Sequence, residues 1–379
     1  MDDYASFLFT ADCHMKRRTW TNSTLLKDDA SYALLKAISQ AAVHTDCMVI
    51  GGDLFDGNRP TAQDLLTVKD ALTTNFTNCY YIRGNHDNCE PSYLDAITGS
   101  VEDDSFVLAR LDQKVINFHQ LDRGVLIGGL DWSPSSSETW ERLKALITAW
   151  RISYKKYDDD ILYVVLHCSF QHLLGFDGAY DFTVDMIKDL CGEDRINFLV
   201  GHIHTRDTLV YNSTGAYIHS PGSLYPLSSD KMGEPCFASL VNIRTGAIED
   251  LPVDVRKYVT FNISDAGDDL ISMLNAAGYQ KADGCLPTFV RLIVPEDWSQ
   301  PIPVVDNPNY VVKVDRQVSK QQQVTAVRSS YSINQAIRDE LADQANRDMV
   351  VEMAEELLAS DDPVGTLDGW LEFWGVRKC

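Results

Sequence analysis

Between residues 5 and 255, short β-branched or aromatic runs alternate with stretches in which apolar residues return at every third or fourth position. The short runs predict strands over 6–10, 48–50, 80–82, 125–128, 161–166, 198–200 and 208–211. The longer period predicts helices over 28–43, 62–73, 137–150 and 182–190. Strands and helices in alternation give an α/β sandwich. Past residue 250 the pattern changes, and 258–314 reads as a small α+β unit: a first strand, a helix over 268–277, then strands near 289–294 and 310–314. The polar stretch 321–330 reads as a tether. Beyond it, 333–358 predicts a long amphipathic helix with Ile333, Ile337, Leu341, Met349, Met353 and Leu357 along one stripe, followed by Trp370, Leu371, Phe373 and Trp374. The boundaries this implies are 1–255, 256–320 and 331–379.

Composition adds three constraints. The chain begins Met1-Asp2-Asp3, without the basic and apolar run of a secretory signal, and no apolar stretch approaches the ~20 residues of a membrane span, so a cytoplasmic protein with no membrane partner is expected. The nine cysteines are scattered and never form a CxxC pair, which reads as reduced, mostly buried thiols. A formal net charge of -22 by itself argues against nucleic acid, whose affinity comes largely from Lys and Arg on phosphates. Two features offset it: the cluster Lys16-Arg17-Arg18 beside the first motif, and the ability of bound cations to reverse the sign of an acidic site.

Five short motifs stand at the ends of predicted strands: Asp12-Cys13-His14, Gly52-Asp53-Leu54-Phe55-Asp56, Gly84-Asn85-His86-Asp87, His167 after Val164-Val165-Leu166, and Gly201-His202-Ile203-His204. Each alone is weak, since Asp53 or Asn85 serves more often as a turn former or helix cap, and a lone His167 as a core residue. Together they supply carboxylate, imidazole and amide oxygen, the mixed donors that suit Mn²⁺ or Fe²⁺. In extended backbone, Asp12 with His14 and His202 with His204 each aim two donors the same way. The glycines before Asp53, Asn85 and His202 allow close backbone approach. His44, His119 and His172 have no such context; His219, in His219-Ser220-Pro221-Gly222-Ser223, is either a site-lining or a core residue.

With these motifs the chain resembles the calcineurin-like metallophosphoesterases, and within them the SbcD-type nucleases, the bacterial and phage counterpart of the meiotic recombination eleven subunit. The narrower likeness rests on Gly52-Asp53-Leu54-Phe55-Asp56, which protein phosphatases replace with a Gly-Asp-x-x-Asp-Arg-Gly version, on Ser220-Pro221-Gly222-Ser223, and on the cap-plus-C-terminal-helix layout. The nuclease family usually has Asp-Trp-His-Leu-Gly at the first motif; Cys13 and Lys16 stand here for Trp and Gly, which alters the loop near the substrate and spares the ligands.

The resemblance implies a four-layer α/β/β/α sandwich with a small α+β capping domain and C-terminal helices. It implies that Asp12, His14 and His204 hold one divalent ion and Asn85, His167 and His202 a second, with Asp53 bridging both. The ions would be Mn²⁺, with Mg²⁺ or Fe²⁺ as alternatives. His86 would act at the scissile phosphate, supported by Asp56 and Asp87. The implied activity is Mn²⁺-dependent exonuclease and endonuclease cleavage in an SbcCD-type repair or recombination complex. The implied partners are DNA and an SbcC-type coiled-coil ATPase that grips the C-terminal region, with a homodimer left open. The competing readings are a small-molecule or cyclic-nucleotide phosphodiesterase, and a catalytically dead scaffold, against which stands the fact that no ligand is missing.

Overall fold

The structure, a computed structural model, describes residues 6–15, 29–57, 59–90, 93–98, 106–112, 116–173, 180–227, 231, 233–263, 286–296, 298 and 310–316. The basic cluster at 16–18, the expected cap helix over 268–277, the tether and the whole C-terminal region 331–379 lie outside the described residues. The chain divides into two compact units. One comprises Met1–Thr260, Asp269–Arg291 and Val304–Lys313, the other Phe261–Asp268, Leu292–Pro303 and Val314–Cys379.

The first unit is built on two six-stranded sheets. Strands β1 (Ser6–Thr10), β2 (Cys47–Gly51), β3 (Asn78–Ile82) and β4 (Val107–Arg110) alternate with helices α1 (Asp29–Ala41), α2 (Ala62–Asn75) and α3 (Tyr93–Thr98). These four strands run parallel in the order β1-β2-β3-β4. The second sheet is formed by β5 (His119–Asp122), β6 (Val125–Leu130), β7 (Ile161–His167), β8 (Arg195–Gly201), β9 (Asp207–Val210) and β10 (Tyr217–Ser220), ordered β5-β6-β7-β8-β10-β9. Helices α4 (Ser136–Ser153) and α5 (Val184–Cys191) connect its parallel core. The chain then returns to the first sheet, where β11 (Cys236–Asn242) pairs antiparallel with β1, and β12 (Ile248–Val253) with β11.

Alternation along the strands explains the layering. In β1 and β2, Leu8, Met48 and Ile50 face α1 and α2, while Phe7, Phe9 and Val49 join Ile127, Tyr163, Val165 and Leu199 of the second sheet in a buried layer between the sheets. A third cluster packs β7 and β8 against α4 and α5, with Trp150 fully buried. The order is therefore helices, sheet, sheet, helices, a four-layer α/β/β/α sandwich. Both faces of β2 and β7 are buried, which is why they read as continuous apolar runs. Local signals set the helix starts: Thr61 and Asp64 form a reciprocal capping box at α2, and Ser135 and Thr183 cap α4 and α5.

Several elements escape the sequence pattern. β4, β5, β10, β11 and β12 lie outside the predicted strands; they are short or carry buried polar residues such as His219 and Ser239, so neither period stands out. β8 is longer than predicted because Arg195 and Asn197 interrupt its apolar run without ending it. Three further strands follow, β13 (Tyr258–Asn262), β14 (Thr288–Val294) and β15 (Tyr310–Arg316). No described helix is long and apolar enough to cross a membrane.

A buried ion pair ties the start of α1 to the segment after β12. Asp29 accepts from Arg256 Nε at 2.6 Å and from the Tyr258 hydroxyl at 3.0 Å, and both charged side chains are almost fully buried. Removing one member of such a pair costs about 3–5 kcal/mol, whereas replacing both with apolar groups costs far less. Asp29→Ala should accordingly shift urea denaturation by that amount, and Asp29→Ala combined with Arg256→Met should recover part of the loss.

Candidate metal centre

All five motifs fall where the parallel strands β1, β2, β3, β7 and β8 end. After β1 the chain runs beside the segment following β2: Asp12 N donates to Gly52 O at 3.1 Å, His14 N to Asp53 O at 2.9 Å and Met15 N to Leu54 O at 2.8 Å. The sequence suggested that extended backbone aims Asp12 with His14, and His202 with His204, in common directions. The structure corrects this. Asp12, His14, Asp53 and His202 have φ of 52°, 42°, 49° and 94°, and among the described residues they are the only non-glycines with positive φ. Left-handed backbone at non-glycine residues costs of order 1–3 kcal/mol each and persists where surrounding contacts over-determine it. Here the turned backbone, not strand pleat, points the donors inward.

The glycines are there for space. A Cβ on Gly84 would lie 2.1 Å from Asp53 Oδ1 and 2.4 Å from Asp53 N, and one on Gly201 would lie 2.3 Å from Gly51 O. Asp53 is held from the neighbouring loop, where His86 N donates to its Oδ1 at 2.8 Å.

The side chains converge from both sheets. Asp12, His14 and His204 form one group of ligand atoms and Asp12, Asp53 and His167 another. His14 Nε2 stands 3.2 Å from His204 Nε2 and 3.7 Å from Asp53 Oδ2. His204 Nε2 stands 3.7 Å from Asp12 Oδ1, and His167 Nε2 3.4 Å from Asp53 Oδ2. Asn85 Oδ1 sits 3.1 Å from His167 Nε2 and 3.0 Å from His202 Nδ1. All seven expected ligands thus meet at one end of the two sheets.

The donor set fits divalent cations. A carbonyl oxygen only accepts, so His167 Nδ1, 2.9 Å from Gly51 O, carries a proton, and its Nε2, facing the acceptors Asn85 Oδ1 and Asp53 Oδ2, must hold either a second proton or a cation. His14 repeats the pattern: Nδ1 donates to Asp56 Oδ1 at 3.0 Å, and Nε2 faces the nitrogen of His204. Acceptors this close require positive charge between them, either extra protons or metal ions. The titration shifts express the same demand. Burial pulls His167 down, but the carboxylates of Asp53 and Asp12 outweigh it and lift the imidazole to about 9. Burial raises Asp12 to about 6. Asp53 is lowered, because His167, the His86 N–H and His14 overcome its burial.

The supporting residues differ in what they touch. His86 lies on the rim with its side chain 41% exposed, its ring edge-on to His14 at 4.8 Å between centroids and its Nδ1 3.8 Å from Asp56 Oδ1. Asp56 is closer to His14 than to His86. Asp87 is buried and accepts from the backbone N–H groups of Leu54, Phe55 and Gly84, so it acts on loop shape rather than on the imidazole of His86. His219 is fully buried between the sheets, hydrogen-bonded to Thr208 Oγ1 and Ser239 Oγ, and burial lowers it to about 3; it belongs to the core. Sequence reasoning missed Asp131 and Arg83, which lock the third motif from the second sheet, and Tyr225, whose hydroxyl donates to His14 O at 3.4 Å. Asp131 directly follows β6, so the strand-end rule applied to the other motifs marks its position, though not what it binds.

The profile of the calcineurin-like phosphoesterase family matches residues 5–206. The DNA double-strand break repair protein Mre11 of Saccharolobus solfataricus is 24% identical over 288 residues, which cover 70% of this chain and 68% of that protein. Among solved structures, a 5'-nucleotidase precursor from Thermus thermophilus aligns with 66% of this chain at a TM-score of 0.39 and 10% identity, and the match spans 54% of that protein's length. A hypothetical protein from Pyrococcus horikoshii aligns with 66% of this chain and 89% of its own at a TM-score of 0.33 and 13% identity.

If Asp53 bridges two ions, Asp53→Ala should empty the site of both and abolish hydrolysis. Elemental analysis of the purified variant checks this, and retention of two metals per chain would exclude the bridging role.

Proposed function

The chain belongs to the calcineurin-like phosphoesterases, and from that premise we propose that it is a two-metal phosphodiesterase that cleaves DNA, working with a coiled-coil ATPase of the SbcC type. The observation that carries the hydrolase reading is the convergence of Asp12, His14, Asp53, Asn85, His167, His202 and His204 at one end of the two sheets, with half-exposed His86 beside them. What favours DNA as substrate is the similarity to the archaeal repair protein, which extends past the family profile.

In this reading Asp12, His14, His204 and Asp53 would hold one divalent cation, and Asn85, His167, His202 and Asp53 the other, with Mn²⁺ the ion of choice. Two such cations supply Lewis acidity and a net positive charge for the phosphodiester anion. His86 does the proton work. With Nδ1 toward Asp56, its Nε2 is the atom placed to stabilise or protonate the leaving oxygen, a task that suits an imidazole near neutral pH. Asp56 orients His14 and lies within reach of His86.

The net charge of -22 favours a second reading, a phosphodiesterase of small or cyclic substrates. The two separate in one assay: labelled duplex and hairpin DNA with Mn²⁺, with and without a coiled-coil ATPase of the SbcC type, against small diesters. Turnover of the diesters with intact DNA in every condition defeats the nuclease reading.

His86→Ala should lower kcat by ~10²–10⁴-fold, the usual contribution of general acid catalysis, with Mn²⁺ content unchanged. Loss of metal together with activity would make His86 a ligand instead. The ATPase contact rests on the amphipathic stripe from Ile333 to Leu357 and on Trp370, Phe373 and Trp374, aromatic anchors of the kind common at interfaces. Truncation after Ser330 should leave Mn²⁺-dependent cleavage of simple DNA intact and abolish co-purification with the ATPase. Undiminished binding by the truncated chain would refute that contact.

A further inference from the structure

The third motif is fixed from two sides. Toward the first sheet, His86 N donates to Asp53, and Asp87 accepts from Leu54 N and Phe55 N. Toward the second, Arg83, the residue just before the motif, is held at its backbone N–H, its carbonyl and its Nε by the segment that follows β6. Arg83 N donates to Asp131 Oδ1 at 2.8 Å, Arg83 Nε to Asp131 Oδ2 at 2.7 Å, and Trp132 N to Arg83 O at 2.9 Å. Asp131 is itself anchored. Its Oδ2 also accepts from Arg110, and its N–H donates at 2.7 Å to Asp112, which pairs with Arg142 of α4. Both Asp131 and Arg83 are buried, at 4% and 7% exposure, so this carboxylate–guanidinium pair is little screened by water.

Its place in the fold gives the clamp a consequence. Arg83 directly follows β3 of the first sheet and precedes Asn85, whereas Asp131 directly follows β6 of the second sheet, whose strands β7 and β8 lead to His167 and His202. Asn85 Oδ1 is one point where the two halves meet, within 3.1 Å of both imidazoles. We infer that Asp131 is a positioning residue: through Arg83 it sets the distance of Asn85 from His167 and His202, and so the affinity of the ion these three share. The inference rests on the two-metal reading given above. Asp131 touches neither substrate nor ion, and its effect must pass through Asn85.

A double-mutant cycle read by calorimetric Mn²⁺ titration tests it, since coupling appears only when one residue acts through the other. Asp131→Ala should weaken by ~10–100-fold the Mn²⁺ site that Asn85→Ala also weakens, the range seen when a ligand's supporting partner is removed. In an Asn85→Ala background the same change should weaken binding by less than about twofold. Equal effects in both backgrounds, or unchanged affinity in the single variant, would overturn the inference. Should Asp131→Ala fail to fold, Asp131→Asn serves: it keeps an oxygen for Arg83 N–H but turns an amide toward the guanidinium groups. Turnover of bis(p-nitrophenyl) phosphate by the unmodified protein keeps the two ideas apart. Mn²⁺ binding without Mn²⁺-dependent turnover defeats the hydrolase reading alone, and an unmodified chain that binds no Mn²⁺ defeats both.

Discussion

Lone pairs carried by two different sheets face one another across hydrogen-bond distances, and that confrontation governs the rest of the molecule. Asn85 comes from the first sheet and His167 from the second, yet their acceptor atoms stand 3.1 Å apart. Such an arrangement is tolerable only with extra protons or metal ions between the acceptors, and a metal centre there is useful only if the sheets keep their register to a fraction of an ångström. Close packing of the inter-sheet layer supplies part of that rigidity, since interiors packed like crystals resist sliding. Polar bonds supply direction. The Tyr163 hydroxyl donates to Asn242 O and Ile243 O, His219 meets Ser239, and Asp131 clamps Arg83. His219 and Tyr163 act within the layer, while the Asp131 clamp acts at the strand ends where the ligands are.

The site is also a store of strain. Four ligands in left-handed backbone represent several kcal/mol of conformational cost together, at order 1–3 kcal/mol each. The offsetting bonds are nearby and specific. Backbone pairing between residues 12–15 and 52–54 fixes two of the turns, the carboxylate of Asp87 gathers three N–H groups around a third, and Asp12 accepts from His202 N to fix the last. Ions bound here would return part of that cost by mass action.

How much of this was legible depended on whether a residue's job left a mark in its neighbours. The ligands were readable because their motifs follow apolar runs, because Asp53, Asn85 and His202 each come directly after a glycine, and because Asp, Asn and His recur in one order. The backbone that aims them was not readable: nothing in Asp12-Cys13-His14 distinguishes an extended segment from a left-handed turn when the determining bonds come from residues 52–54. β11 illustrates the same limit at the level of fold. Its sequence, with buried Ser239 between apolar neighbours, becomes a strand because the free edge of β1 needs a partner. Asp131 follows a strand as the ligands do, but its role has no signature until Arg83 is seen opposite it.

Net charge is the quantity that sequence-level counting handles worst here. The net total of -22 already counts the arginines that pair with buried Asp29 and Asp131, and it says nothing of where the excess acid lies. Asp12 and Asp53 would be neutralised by the ions they hold, leaving the centre positive where a phosphate must arrive. Exposed charge is screened by counterions within ~10 Å at moderate salt. An acidic surface around a positive centre does not forbid a phosphodiester, but it lends little help to a long polyanion. If the substrate is DNA, its affinity would come from the centre itself, from the Lys16-Arg17-Arg18 cluster beside the first motif, and from whatever basic surface a partner adds.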